Sequence, residues 1–272
     1  MRDEGSFCLS CHFERSWIRL TMNSLSEAGA DSMNKNAFLT SVFPSLREKD
    51  VEELGRLSFP VQYGEGELIV QEGSYAAGVY IIQTGLLSVG KYASKGKDKR
   101  VLRFLGPGEM FGAEAVFLER EPINVRFAKA LTDSKLLFFE RANILAFSKA
   151  HSALYIDLCR WLSREVIMLE FKLTRDAVES IDRNLAFLLI ALANKYGDNK
   201  RDGIVLDLPI SRQTMAEMLG VSIETLMRAL KRFRERRLIV TSQSQITLID
   251  TESLKDRAQA TPFYLSIIEE TL

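Results

Sequence analysis

Cysteine is scarce. The chain of 272 residues has three, Cys8, Cys11 and Cys159, too few for a disulfide framework. No apolar run approaches the roughly 18 residues a membrane-spanning helix needs, so no membrane partner is expected. The opening residues, MRDEGSFCLSCHFERSW, have no long apolar core and no cleavage site, so a signal peptide is not expected either. The cytoplasm is the expected compartment. Excess charge of one sign is also missing: 36 Lys and Arg balance 36 Asp and Glu, which leaves no whole-protein basic footprint. No catalytic triad, nucleotide-binding loop or pair of catalytic carboxylates stands out, and no enzymatic activity is expected. What is present is an ordinary globular composition, 46% apolar and 26% charged, at a length suited to one or two domains.

Charge is uneven along the chain. Between Ser211 and Val240 seven Lys/Arg face three acids, a local +4, which is what phosphate binding requires. The same stretch has the pattern of two short helices around a tight turn. Ser211 is placed to cap a helix over about Arg212 to Leu219, whose buried face is Met215, Met218 and Leu219. Gly220 stands where a left-handed turn residue is cheapest. Ser222 caps a second helix to about Arg236, buried through Leu226, Leu230 and Phe233. That helix exposes Glu224, Thr225 and Arg228 early and ends in Lys231, Arg232, Arg234, Arg236 and Arg237. Polar early positions and a basic rear fit a recognition helix in a DNA major groove, against the plainer reading of an amphipathic hairpin with a solvated basic face.

The rest divides by texture. Residues 1–35 are a polar lead-in containing Cys8, Cys11 and His12, and two short helical patterns follow within Asn36 to Leu57. From Phe59 to about Glu140, short β-rich runs (Leu68–Gln71, Val79–Gln83, Leu86–Lys91, Val101–Leu105, Val125–Leu131 and Lys135–Glu140) are separated by single glycines, as in an antiparallel barrel or jelly roll. Lys95 to Arg100 reads as a charged, solvated hairpin tip. His151 to Ser180 is one long helical pattern without Gly or Pro. One apolar set on it is Leu158, Leu162, Val166, Leu169, Leu173 and Ala177; a second is Leu154, Trp161 and Met168. Two faces suggest one packed on its own domain and one on a partner helix, hence a homodimer. Asp182 to Tyr196 is a further helix, Asp198 to Gly203 a polar loop, and Ile204 to Leu208 a strand. Leu238–Thr241 and Gln245–Ile249 form a wing around Ser242 to Ser244. The tail from Thr251, helical near Leu254 and Leu265, has no assigned role.

A glycine-punctuated β-roll, a long helix and a winged helix-turn-helix, in that order, resemble the CRP/FNR family of bacterial transcription regulators over about residues 36–250. The residues that carry the likeness are Tyr63 to Ile69 with Glu72-Gly73, Val79 to Gly85, Gly106 to Gly112, Leu185-Ala186 with Leu189-Ile190 and Leu192-Ala193, and Ser211-Arg212-Gln213. The resemblance implies an α+β chain with a β-roll effector domain over 36–148 and a dimerisation helix over 149–180. A winged helix-turn-helix over 181–250 and a tail over 251–272 complete it. It implies double-stranded DNA and a second copy as partners, together with RNA polymerase. Ser211, Arg212 and Gln213 would open the phosphate-contacting helix. Ser222, Glu224, Thr225 and Arg228 would face the DNA, with Glu224 on cytosine N4 and Arg228 on guanine O6 and N7 in a TGA-type half-site. Ile223 and Met227 depart from the best-known members, so the target is expected to differ outside that core.

The same resemblance raises the effector. In the family's cyclic-nucleotide pocket a Gly-Glu pair and an Arg-Ser/Thr-Ala run hold ribose and phosphate. Here Gly112 is followed by Ala113, with Glu114 one place late. The Arg-Ser positions fall on Asn124 and Val125, with Arg126 followed by Phe127. A strand offset by one residue turns a side chain to the other face, and a buried phosphate without its arginine is poorly compensated, so cAMP binding is not expected. Gly112, Glu114 and Arg126 remain the effector-pocket candidates. Arg103 and Arg126 do not decide whether the pocket is collapsed or takes another ligand. Oxygen-sensing members place three cysteines before the roll and one within it for an iron–sulfur cluster. The matching strand here, KLLFFE, has none, and Cys159 reads as a small core residue. Cys8, Cys11 and His12 could bind metal, switch redox state or be remnants. The expected signal is redox, gas or an unknown small ligand, with a cyclic nucleotide as the alternative. Readings from other classes are a ligand-binding scaffold dimer without DNA binding and a thiol oxidoreductase using Cys8 and Cys11.

Overall fold

A computed structural model describes residues 28–92, 99–118, 122–178, 180–207, 210–242 and 245–258. Cys8, Cys11, His12, the tip at 95–98, most of the expected wing turn and the tail beyond 258 lie outside these residues. The chain enters through α1 (Ala28–Val42) and α2 (Glu48–Arg56). The roll follows as β1 (Ser58–Tyr63), β2 (Leu68–Val70), β3 (Gly78–Thr84), β4 (Leu87–Tyr92), β5 (Lys99–Leu105), β6 (Met110–Phe111), the short α3 (Ala113–Val116), β7 (Phe127–Ala130) and β8 (Ser134–Glu140). Its strands form two four-stranded antiparallel sheets, ordered β1-β8-β3-β6 and β2-β7-β4-β5. Ile82, Leu136 and Phe111 of one sheet share a core with Val70, Leu87, Val89, Leu105 and Ala128 of the other. Ile81, Leu137 and Phe139 point the opposite way, onto Leu39, Phe43, Val51 and Leu54 of α1 and α2. The β3–β8 pair is therefore buried on both faces, which is why KLLFFE is nearly continuous rather than alternating.

Beyond the roll come α4 (Arg141–Ala150) and the long α5 (Ala153–Val178). The expected single helix from His151 is corrected at its start. His151 leaves helical geometry at φ −125° and ψ 79°, and its ring nitrogens lie 3.3 Å from Asp50 and 3.3 Å from Glu53. The faces of α5 are also redrawn. Leu154, Leu158, Trp161, Glu165 and Met168, at spacings of four and three, turn inward, and Leu154, Leu158 and Trp161 join the α1–α2 core. Tyr155, Cys159, Leu162, Val166 and Leu169 form a second seam one residue on, and it is exposed. Leu158 thus belongs with Leu154 rather than with Leu162, and Cys159 is a surface residue rather than a core one. The side chains of Leu173 and Ala177 lie outside those described.

The C-terminal part comprises α6 (Ile181–Tyr196), β9 (Asp198–Lys200), β10 (Gly203–Leu206), α7 (Arg212–Leu219), α8 (Ile223–Glu235), β11 (Ile239–Thr241), β12 (Ile246–Leu248) and α9 (Thr251–Ala258). The antiparallel wing sheet is ordered β11-β12-β10-β9. Asp198 to Gly203, expected as a loop, is a strand and turn. β9 is an edge strand with all three residues exposed, so it has no apolar alternation to betray it. Leu254 and Ala258 of α9 enter the same core as Leu185, Leu189, Phe233 and Leu248, which gives the start of the tail a structural place. Leu86, Val101, Phe104 and Phe127 of the roll belong to that core too, so the roll and the C-terminal part share one apolar interior.

Leu254 is fully buried. Truncating such a side chain costs about 2–5 kcal/mol. Leu254→Ala is expected to lower stability by that amount in denaturant unfolding followed by circular dichroism; a loss below about 1 kcal/mol would contradict the assignment of α9 to the core.

Candidate nucleic-acid interface

The helix pair α7–α8 is built by local chemistry. Ser211 is extended, and its Oγ accepts from Thr214 N at 3.0 Å. Ser222 caps α8 in the same way, accepting from Thr225 N at 3.2 Å. Each satisfies a backbone donor that the first turn leaves free. Between them Gly220 takes φ +65°, a conformation that costs a residue with a Cβ. Met215, Ala216 and Met218 of α7 and Leu226, Ala229, Leu230 and Phe233 of α8 are buried. Leu219, the third expected member of the first face, is half-buried.

Burying that face fixes the rotation of α8 and leaves Ile223, Glu224, Met227 and Arg228 exposed, with Thr225 half-buried. Glu224 and Arg228 are one turn apart on the same face. Among the described residues neither takes part in an ion pair, so the surface bridge their spacing allows is not formed. Gln213 is exposed and donates from Nε2 to Glu217 at 3.2 Å. Arg212 is drawn inward, with Nη2 3.5 Å from the Gln245 carbonyl of the wing and Nη1 3.5 Å from Met215 Sδ. Burial, followed by the charge of Arg234, lowers its pKa. The basic rear of α8 is only partly surplus. Arg232 pairs with Asp182 of α6, Arg236 approaches the same carboxylate at 3.9 Å, and Lys231 lies 3.8 Å from Glu235. Asp182 falls outside the stretch whose charge suggested +4, so sequence counting overstated the patch.

The roll holds a second concentration of charge. Arg126 donates to Glu114 at 2.8 Å and to Glu165 of α5 at 3.3 Å. Arg103 of β5 pairs with Glu109 and with the other oxygen of Glu165. Glu114 also accepts from Gly112 N at 3.0 Å, where the backbone turns through φ +90°. The effector candidates Gly112, Glu114 and Arg126 are thus brought together, but their charges are engaged with one another and with α5. Arg126 precedes β7, so strand alternation does not set its direction, and its side chain still turns into the roll. Asn124 donates to Ser74 Oγ and the Tyr75 carbonyl, and Val125 is exposed. The two guanidinium groups of this set, those of Arg103 and Arg126, are paired with carboxylates, and Asn124 tethers a loop. Glu165 and Glu109 were missed in the sequence. The available signal was a carboxylate at a seam position of α5 whose neighbours, Leu158, Trp161 and Met168, are all apolar.

Residues 60–151 match the family described as a cyclic nucleotide-binding domain, and residues 184–257 match the Crp-like helix-turn-helix domain. The chain is 30% identical to the nitrogen fixation regulation protein FixK of Rhizobium meliloti over 212 residues, covering 76% of this chain and 92% of that protein. It is 28% identical to the anaerobic regulatory protein of Bacillus subtilis over 176 residues, 65% of this chain and 73% of the relative. A solved transcriptional regulator of the CRP/FNR family from Thermus thermophilus shares the fold. Its TM-score is 0.63 at 22% identity, over 74% of this chain and 98% of that one.

Removing an N-cap serine costs about 1 kcal/mol. Ser222→Ala is expected to destabilise the protein by that amount in equilibrium unfolding, with Ser222→Asp close to wild type; an alanine variant as stable as the parent would contradict the capping role.

Proposed function

The chain belongs to the CRP/FNR family of DNA-binding transcription regulators, and we propose that it works as a homodimer on palindromic sites whose half-sites share a TGA core. The observation that carries this is the outward face of α8, where Glu224 and Arg228 stand exposed, one turn apart and without ion-pair partners among the described residues. A carboxylate accepts from cytosine N4, and a guanidinium donates to guanine O6 and N7, so this pair is chemically fitted to one G·C step in the major groove. Ser222 and Thr225 lie at the start of the same helix, and Ser211, Arg212 and Gln213 at the start of α7. In our reading Gln213 and the capped helix starts contact phosphates, which position the helix without carrying sequence information.

The dimer reading rests on α5. Tyr155, Cys159, Leu162, Val166 and Leu169 follow a four-three spacing and are exposed. A water-facing heptad seam of this kind is satisfied by a second helix of the same kind. Two copies related by a two-fold axis would set their recognition helices about one DNA turn apart. We infer a contact with RNA polymerase from the regulatory role and assign the protein no enzymatic step. Among the described residues no helix is long and apolar enough to cross a membrane, and we place its action on DNA in the cytoplasm. Cys8, Cys11 and His12 remain the sequence-level candidates for a redox input.

A good bidentate contact to a base is worth about 1–3 kcal/mol of discrimination. Arg228→Ala is therefore expected to lose that much preference for a TGA palindrome over one with the G·C step exchanged, measured by fluorescence anisotropy. Wild-type protein without sequence preference, or an Arg228→Ala variant with undiminished preference, would refute the reading.

A further inference from the structure

Glu165 is out of place by ordinary rules. It lies on the inward seam of α5 among apolar neighbours and is 7% exposed. A buried carboxylate without compensation is costly. Here both of its oxygens are taken, one by Arg103 and one by Arg126. Each arginine has a second carboxylate, Glu109 and Glu114 respectively, and each of those accepts a backbone N–H, from Gly106 and Gly112. Both guanidinium groups are thus already matched by carboxylates of the chain itself, and an external anion would have to displace Glu165 to reach them.

The cluster also reaches the DNA-binding part. Arg103 lies on β5, and its strand neighbours Val101 and Phe104 pack in the core of α6 to α9. Arg100 of the same strand lies close to the turn at Gly220, where an added Cβ would be 3.1 Å from its guanidinium carbon. Tyr196, near the end of α6, has its pKa raised by burial and then by the charge of Glu109, with Arg103 opposing. Roll and α5 therefore meet at one set of charges, and the strand that carries Arg103 also packs against the C-terminal part.

We propose that Glu165 is a built-in anion: its buried carboxylate occupies the two part-buried guanidinium groups, those of Arg103 and Arg126, that an external anion would need, and so holds α5, the roll and the DNA-binding part in one arrangement without an added effector. Glu165 is a positioning residue, acting on DNA through Arg103 and β5. A shift of α5 along or around its axis separates the carboxylate from one guanidinium, and breaking a buried pair is strongly unfavourable. The bridge thus selects one register of α5 more than it adds stability. This inference rests on the DNA-binding reading above.

The test uses the full-length dimer and fluorescence anisotropy on the TGA palindrome. Wild-type protein is expected to bind without any added small molecule and to be unaffected by millimolar cAMP. Glu165→Gln, nearly isosteric, is expected to remain dimeric by sedimentation yet bind about tenfold more weakly or worse. In Glu165→Ala, where a carboxylate-sized space opens between the arginines, sodium acetate is expected to recover part of the lost affinity, and sodium chloride at equal ionic strength is not. Tightening of wild-type binding by cAMP, a Glu165→Gln affinity within twofold of wild type, or absence of acetate rescue would each overturn the proposal. Failure of wild-type protein to prefer the palindrome would instead overturn the DNA-binding reading itself.

Discussion

The constraint on which the rest of the molecule depends is the double duty of α5. One seam must stay in the core of its own roll, and the next, a single residue further on, faces outward with Leu162, Val166 and Leu169 exposed. Adjacent seams on one helix are about 100° apart, so rotating α5 to improve one degrades the other. The inward seam alone, being apolar and smooth, would tolerate slippage. Glu165 removes that tolerance, because a carboxylate has favourable partners only where two guanidinium groups converge. Buried ion pairs contribute little net stability but discriminate strongly between a paired and an unpaired arrangement. That is the property required of an element that would join two copies as we propose and that packs on its own roll.

The same interior sets how α8 is aimed. α8 is fixed in rotation by Leu226, Leu230 and Phe233, and in space by the shared core that joins α6 and α9 to Val101 and Phe104 of β5. Arg232 and Asp182 add a charged tie between α8 and the start of α6. The exposed Glu224 and Arg228 are therefore held by the same interior that begins at the roll. A recognition unit on a free linker would bear the entropy cost of ordering on each encounter with DNA.

Much of this was legible in the sequence where chemistry is local. The bounds of α7 were read to the residue, and those of α8 to within one, because Ser211, Gly220 and Ser222 punctuate the chain and because apolar residues recur at threes and fours. Six of the eight roll strands, β2 to β5, β7 and β8, are legible for a similar reason, since single glycines break β-rich runs. Elements whose stability comes from partners far along the chain were not legible: β1, the two-residue β6, the exposed β9, and α4, which runs directly on from β8. Glu165 was overlooked because its partners, Arg103 and Arg126, are 62 and 39 residues away. Cys159 was misplaced because the choice between adjacent seams of α5 is decided by α1, α2 and the roll, which no helical period reveals.

The central claim is that two recognition helices are held at a fixed separation by paired α5 helices. The most direct measurement is the affinity of the full-length protein for a TGA palindrome and for the same palindrome with about half a helical turn, roughly five base pairs, inserted at its centre. The account expects the insertion to rotate one half-site to the far side of the duplex and to reduce affinity to that of a single half-site. Equal affinity for the two DNAs would contradict it.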